Sequence, residues 1–156
     1  MIEPRHEMHA LPSGVELHGV HWDAPGGADP ELVPWLLVHG LASNARLWDG
    51  VARHLAELGH TVVAIDQRGH GGSSKPETGF DMVTVADDLL ALIRALGFER
   101  PAVAGQSWGG NVVLELAYRH PDAVSTIVCV DGGFIDLGTR FPEWDDAASA
   151  LAPPRL

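Results

Sequence analysis

Four short apolar runs alternate with segments of helical periodicity, and few architectures accommodate that order. The runs are Trp35-Leu36-Leu37-Val38, residues 61–65, 102–104 and 125–130. Continuous apolar stretches such as the first two suit strands covered on both faces. Between them, Leu47, Val51, Leu55 and Leu58 recur at helical spacing within residues 44–59, with Gly59 as a stop. Met82, Val85, Ala86, Leu89, Ile93 and Leu96 line one face of a second helix, which Asp81 can cap and Gly97 can end. A third helix over residues 111–120 carries apolar side chains nearly all round from Asn111 to Ala117, as expected for a central, well-covered element. His120 ends it.

Ahead of these, residues 8–22 alternate between polar and apolar around Pro12-Ser13-Gly14, which predicts a hairpin of two half-exposed strands. Strands alternating with helices after an opening hairpin give an α/β fold. Its sheet is mostly parallel, with helices on both faces and an antiparallel start. Ligands in such sheets bind beyond the carboxyl ends of the strands. Three stretches fall there: His39-Gly40-Leu41, Asp66-Gln67-Arg68-Gly69-His70-Gly71, and Gly105-Gln106-Ser107-Trp108-Gly109.

The last stretch fits G-x-S-x-G between a strand and a helix, the setting of a nucleophile elbow that lifts a serine out of a tight turn. A side chain two residues to either side would crowd that turn. Ser107 is therefore the candidate nucleophile.

With 156 residues the chain is long enough for one ordinary domain, and 46% hydrophobic against 20% charged residues is a globular composition. A formal charge of -11 repels phosphate backbones and anionic lipid, so neither nucleic acid nor a membrane surface is an expected partner. No apolar stretch approaches the roughly 20 residues of a bilayer span. The first seven residues also lack the apolar segment of a secretory signal, so the expected location is the cytoplasm. Cys129 reads as a small core residue.

Together the three loops make the chain resemble the α/β-hydrolase superfamily, in its capped branch of esterases, epoxide hydrolases, haloalkane dehalogenases, carbon–carbon bond hydrolases and cofactor-free haloperoxidases. The matching pieces are His39-Gly40, the D-x-R-G-x-G-x-S run over 66–73, and the G-x-S-x-G stretch followed by Gly110. The resemblance implies that Ser107 replaces the aspartate of dehalogenases and epoxide hydrolases, which points to acyl chemistry on an ester, thioester or related bond through an acyl-enzyme. It places the oxyanion hole at the backbone N–H groups of Leu41 and Trp108. A carbon–carbon bond hydrolase, a haloperoxidase-like member or a non-catalytic ligand-binding member would carry the same visible residues. No cofactor is implied, and a small acyl compound is the expected substrate.

The resemblance further implies a core over residues 1–133 and the start of a lid over 134–156, where Phe134, Ile135, Leu137, Phe141 and Trp144 mix with acids and prolines. In the family the catalytic histidine follows the last strand. None of the nine histidines here holds that position, so these residues alone are expected to hydrolyse little or nothing. A second polypeptide is expected to complete the sheet, because strand 125–130 would otherwise be an uncovered edge. Asp131 is either the acid that some capped members place after this strand, or a turn residue before Gly132 and Gly133.

Other polar residues have structural readings. His39 shapes its loop, and Asp66, Arg68 and Gly69 fix theirs through an Asp–Arg pair. Trp108 and Trp144 either line a pocket or pack. Residues 69–75 lack the spacing of a phosphate-cradling loop. His18 and His21, three apart on a strand, point to opposite faces, so no metal site is expected there.

Overall fold

The computed structural model describes residues 2–134, 136–141 and 143–151. Ile135 and residues 152–156, part of the expected lid segment, lie outside the described residues. Six strands form one sheet: β1 (Arg5–Ala10), β2 (Glu16–Trp22), β3 (Trp35–Val38), β4 (Val62–Ile65), β5 (Ala102–Gln106) and β6 (Thr126–Val130). Their spatial order is β1-β2-β4-β3-β5-β6. Pairing is antiparallel for β1–β2 and β2–β4, and parallel for the other three pairs. The helices are α1 (Asp49–Glu57), α2 (Met82–Ala95), α3 (Trp108–Arg119), α4 (Leu137–Arg140) and α5 (Trp144–Leu151).

Alternation along the central strands feeds two cores. Leu36 and Val38 of β3 join Val63, Ile65 and Val103 under α2 and α3, whereas Leu37 joins Val62, Ala64 and Ala104 under α1. Asp81 caps α2 by accepting from the Thr84 N–H at 2.9 Å. Among the described residues no helix is long and apolar enough to cross a membrane.

Four expectations need correction. The hairpin is not symmetrically half-exposed: β1 faces solvent, but β2 lies between β1 and β4 and buries Leu17, Val20 and Trp22. Of the expected apolar stripe of the first helix, Leu55 alone packs against the core. Ala45, Trp48, Ala52 and Ala56 bury against the sheet while Leu47, Val51 and Leu58 stay exposed, because small side chains let the helix approach closely. The third helix starts at Trp108, three residues earlier than its periodicity indicates. It is also open along one side, where Leu114 and Tyr118 are exposed and line a cleft of about 320 Å³ with Met82, Asn111, Glu115 and Gly133.

Candidate active site

Parallel pairing brings four strand ends to one edge. Val38 stands opposite Gly105, and Gln106 opposite Val130. Two steps beyond the first pair and one beyond the second, the register sets Ser107 between Gly40 and Asp131. The Ser107 N–H donates to the Val130 carbonyl at 2.9 Å, tying the turn to β6.

Ser107 itself adopts φ 53° and ψ -124°, a conformation that costs an L-residue of the order of 1–3 kcal/mol. Ala42 and Asp131, also at this edge, have φ of 53° and 48°. The strain is held by packing on glycines. A β-carbon on Gly105 would run into the Gly109 carbonyl, and one on Gly109 into the carbonyl oxygens of Val38 and His39. Only a bare backbone lets α3 begin directly over the ends of β3 and β5, which explains both glycines of the motif. Ser107 is half-buried and its side chain does not cap α3, so the hydroxyl is not spent on the helix.

The two residues expected to supply oxyanion donors, Trp108 and Leu41, lie on adjoining segments. Trp108 opens α3, so its N–H belongs to the first turn, where amides have no acceptor within the helix. Leu41 follows Gly40, and a β-carbon on Gly40 would stand 2.9 Å from the Ser107 Cβ. The 39–41 loop therefore touches the nucleophile turn.

His39 is fully buried and both ring nitrogens are committed. Nε2 accepts from the Gln67 N–H at 3.0 Å, so Nδ1 carries the hydrogen and donates to the Gly40 carbonyl at 2.6 Å. Gln67 returns a bond from its side-chain nitrogen to the His39 carbonyl at 2.6 Å. Burial keeps the ring neutral by lowering its pKa, against the opposing pull of the Gly40 carbonyl. The residue latches two loops together and has no free lone pair to act as a base.

Asp66 accepts from the N–H groups of Ala45 at 2.7 Å and Gly72 at 2.8 Å and pairs with His18 at 2.8 Å. Burial raises its pKa, but these bonds outweigh that and hold the carboxyl below its ordinary range. Asp66 is not the partner of Arg68. That guanidinium forks onto Asp88 of α2 at 2.5 and 2.7 Å, with both side chains buried. Asp88 escapes motif reading because it lies outside the loop. Its only signal is a carboxylate on the buried face of an amphipathic helix.

The polar contacts of the nine histidines are made with residues other than Ser107, and only His39, through the Gly40 carbonyl, bonds the loop beside it. His120 caps the far end of α3, whose 12 residues span about 18 Å along the axis at the usual rise. His18 and His21 do point to opposite faces, yet each meets a β1 histidine across the hairpin, His6 and His9 respectively, with nitrogens 2.9 Å apart.

A family model described as the alpha/beta hydrolase fold matches residues 33–153. The chain belongs to this family. Among its relatives, a soluble epoxide hydrolase from Corynebacterium sp. (strain C12) is 40% identical over 111 residues, covering 70% of this chain and 38% of that protein. A fluoroacetate dehalogenase from Burkholderia sp. is likewise 40% identical over 111 residues, covering 68% and 35%. The solved structure of the epoxide hydrolase CorEH superposes with a TM-score of 0.77 at 34% identity, covering 96% of this chain and 50% of that one. This alpha/beta hydrolase chain thus spans well under half the length of the curated relatives it matches.

Proposed function

We propose that Ser107 is the nucleophile of a hydrolase acting on an ester, thioester or related acyl bond. The observation that carries this reading is the strained, half-buried serine at the head of α3, with the first-turn amide of Trp108 beside it. Attack by the hydroxyl on a carbonyl carbon forms a tetrahedral adduct whose oxyanion is met by the N–H groups of Trp108 and Leu41. Collapse expels the alcohol or thiol and leaves an acyl-enzyme, which water then cleaves. The route needs no metal or organic cofactor.

The named relatives open epoxides or remove fluoride, but the side chain at 107 disfavours both reactions here. Displacement at an epoxide or carbon–halogen carbon by a serine hydroxyl would leave an ether. An ether has no acyl carbon for water to attack, so the enzyme would not turn over.

The general base comes, in this reading, from a histidine outside these 156 residues, whether in further sequence or a second polypeptide pairing along β6. Asp131 would orient it, from its place beside Ser107 in the register. The segment after β6, with α4 and α5, would begin a lid over the site.

Assay of the complete protein against p-nitrophenyl esters, thioesters and styrene oxide tests the proposal. Acyl hydrolysis abolished by Ser107→Ala, with the epoxide untouched, is the expected result. Epoxide turnover with inert esters would overturn it.

A further inference from the structure

The β1–β2 hairpin lies at the sheet edge remote from Ser107 and contributes nothing to the site above. Its register sets Arg5 opposite His21, Glu7 opposite Gly19 and His9 opposite Leu17. Glu7, His9, Gly19 and His21 therefore share one face. Gly19 leaves a gap at the centre of that face: a β-carbon there would lie 2.9 Å from the Nε2 atoms of both His9 and His21. The two rings converge into the gap, with their Nε2 atoms 2.9 Å apart and ring centroids 5.1 Å apart. Glu7 Oε2 stands 4.0 Å from His21 Nε2, and one ligand atom from each of the three residues lies within 4.8 Å of the others.

Two imidazole nitrogens aimed at each other either share one hydrogen or turn two lone pairs on one cation. Nitrogens bound to tetrahedral zinc at 2.0–2.1 Å are separated by about 3.3 Å. The rings need to part by only a few tenths of an ångström to reach that geometry. Arg5 pairs with Glu7 but also lies 3.6 Å from Asp23, an alternative partner when a cation claims the Glu7 carboxylate.

We propose that Glu7, His9 and His21 form a site for one divalent cation of zinc-like, borderline-soft chemistry, with water in the fourth position. Two nitrogens and a carboxylate oxygen on facing strands suit such an ion better than magnesium or calcium, which take oxygen ligands. The cation would staple β1 to β2 at a distance from the nucleophile, and the site stands independently of the acyl-hydrolase reading.

Titration of tag-free protein with zinc by calorimetry, and with cobalt by visible absorption, tests the site. Expected are one cation per chain at micromolar affinity or tighter, a tetrahedral cobalt spectrum, and a melting temperature that rises with zinc. His9→Gln and Glu7→Gln should weaken binding by about tenfold or more. Gly19→Ala should abolish it with all three ligands in place, and His54→Gln, on the exposed face of α1, should leave it unchanged. Circular dichroism checks each fold, and His9→Gln on the edge strand decides if Gly19→Ala fails to fold. No saturable uptake of one equivalent, or uptake unaltered by His9→Gln, would overturn the proposal.

Discussion

Replacing Asp88 by asparagine should cost this fold far more than a surface charge change. The Arg68 and Asp88 side chains are only 6% and 5% exposed, so water cannot take over when one charge is removed. Breaking a buried pair from one side typically costs about 3–5 kcal/mol, because the remaining charge stays buried. Asparagine can still accept one bond from the guanidinium, which puts the expected loss near the lower end, about 3 kcal/mol. For a domain of this size that lowers the melting temperature by about 10 °C. Removing both partners as Arg68→Met with Asp88→Leu should cost much less than the two single changes added together, since an apolar pair leaves no orphaned charge. Urea denaturation followed by circular dichroism, run as a double-mutant cycle, should therefore give a coupling of about 2 kcal/mol or more. Single losses under about 1 kcal/mol with coupling near zero would mean that the pair behaves as a solvated one and does not clamp the 66–73 loop to α2.

Gly109→Ala should push α3 off the carbonyls of Val38 and His39 and displace Ser107. A shift approaching 1 Å should slow covalent modification of the serine by about a hundredfold, and an unchanged rate would show that the glycine is dispensable. Stability should also fall on mild acidification. His21 has a folded pKa of about 4, against an ordinary value near 6.5, so between those limits the unfolded chain binds more protons and stability drops as pH falls. From pH 7 to pH 5 this one group should remove about 2 kcal/mol, read as a lower urea midpoint, with most of the drop absent in His21→Gln. Asp66 works in a lower window: its depressed pKa keeps its contribution until the pH falls below the ordinary carboxylate range.

The order of elements along the chain and the tight turn around Ser107 are legible in the sequence because their signals are local. A four-residue apolar run such as Trp35-Leu36-Leu37-Val38 marks a buried strand, and two glycines two residues either side of Ser107 mark a tight turn. What escapes is set by contacts between distant segments. Hydropathy selects Leu47, Val51 and Leu58 as the inner face of the first helix, but closeness of approach to the sheet selects Ala52 and Ala56. Spacing along β2 separates His18 from His21 without revealing that the hairpin register supplies each with a histidine from β1. Arg68 finds Asp88 rather than Asp66 for the same reason: the backbone N–H groups of Ala45 and Gly72 already claim Asp66.

Whether Ser107 reacts as a nucleophile is read most directly by treating the complete protein with a fluorophosphonate and mapping the adduct by digestion and mass spectrometry. A single adduct on Ser107, absent from Ser107→Ala, is the expected result. A natively folded sample that leaves Ser107 unmodified, or that carries the adduct on a different hydroxyl, would contradict it.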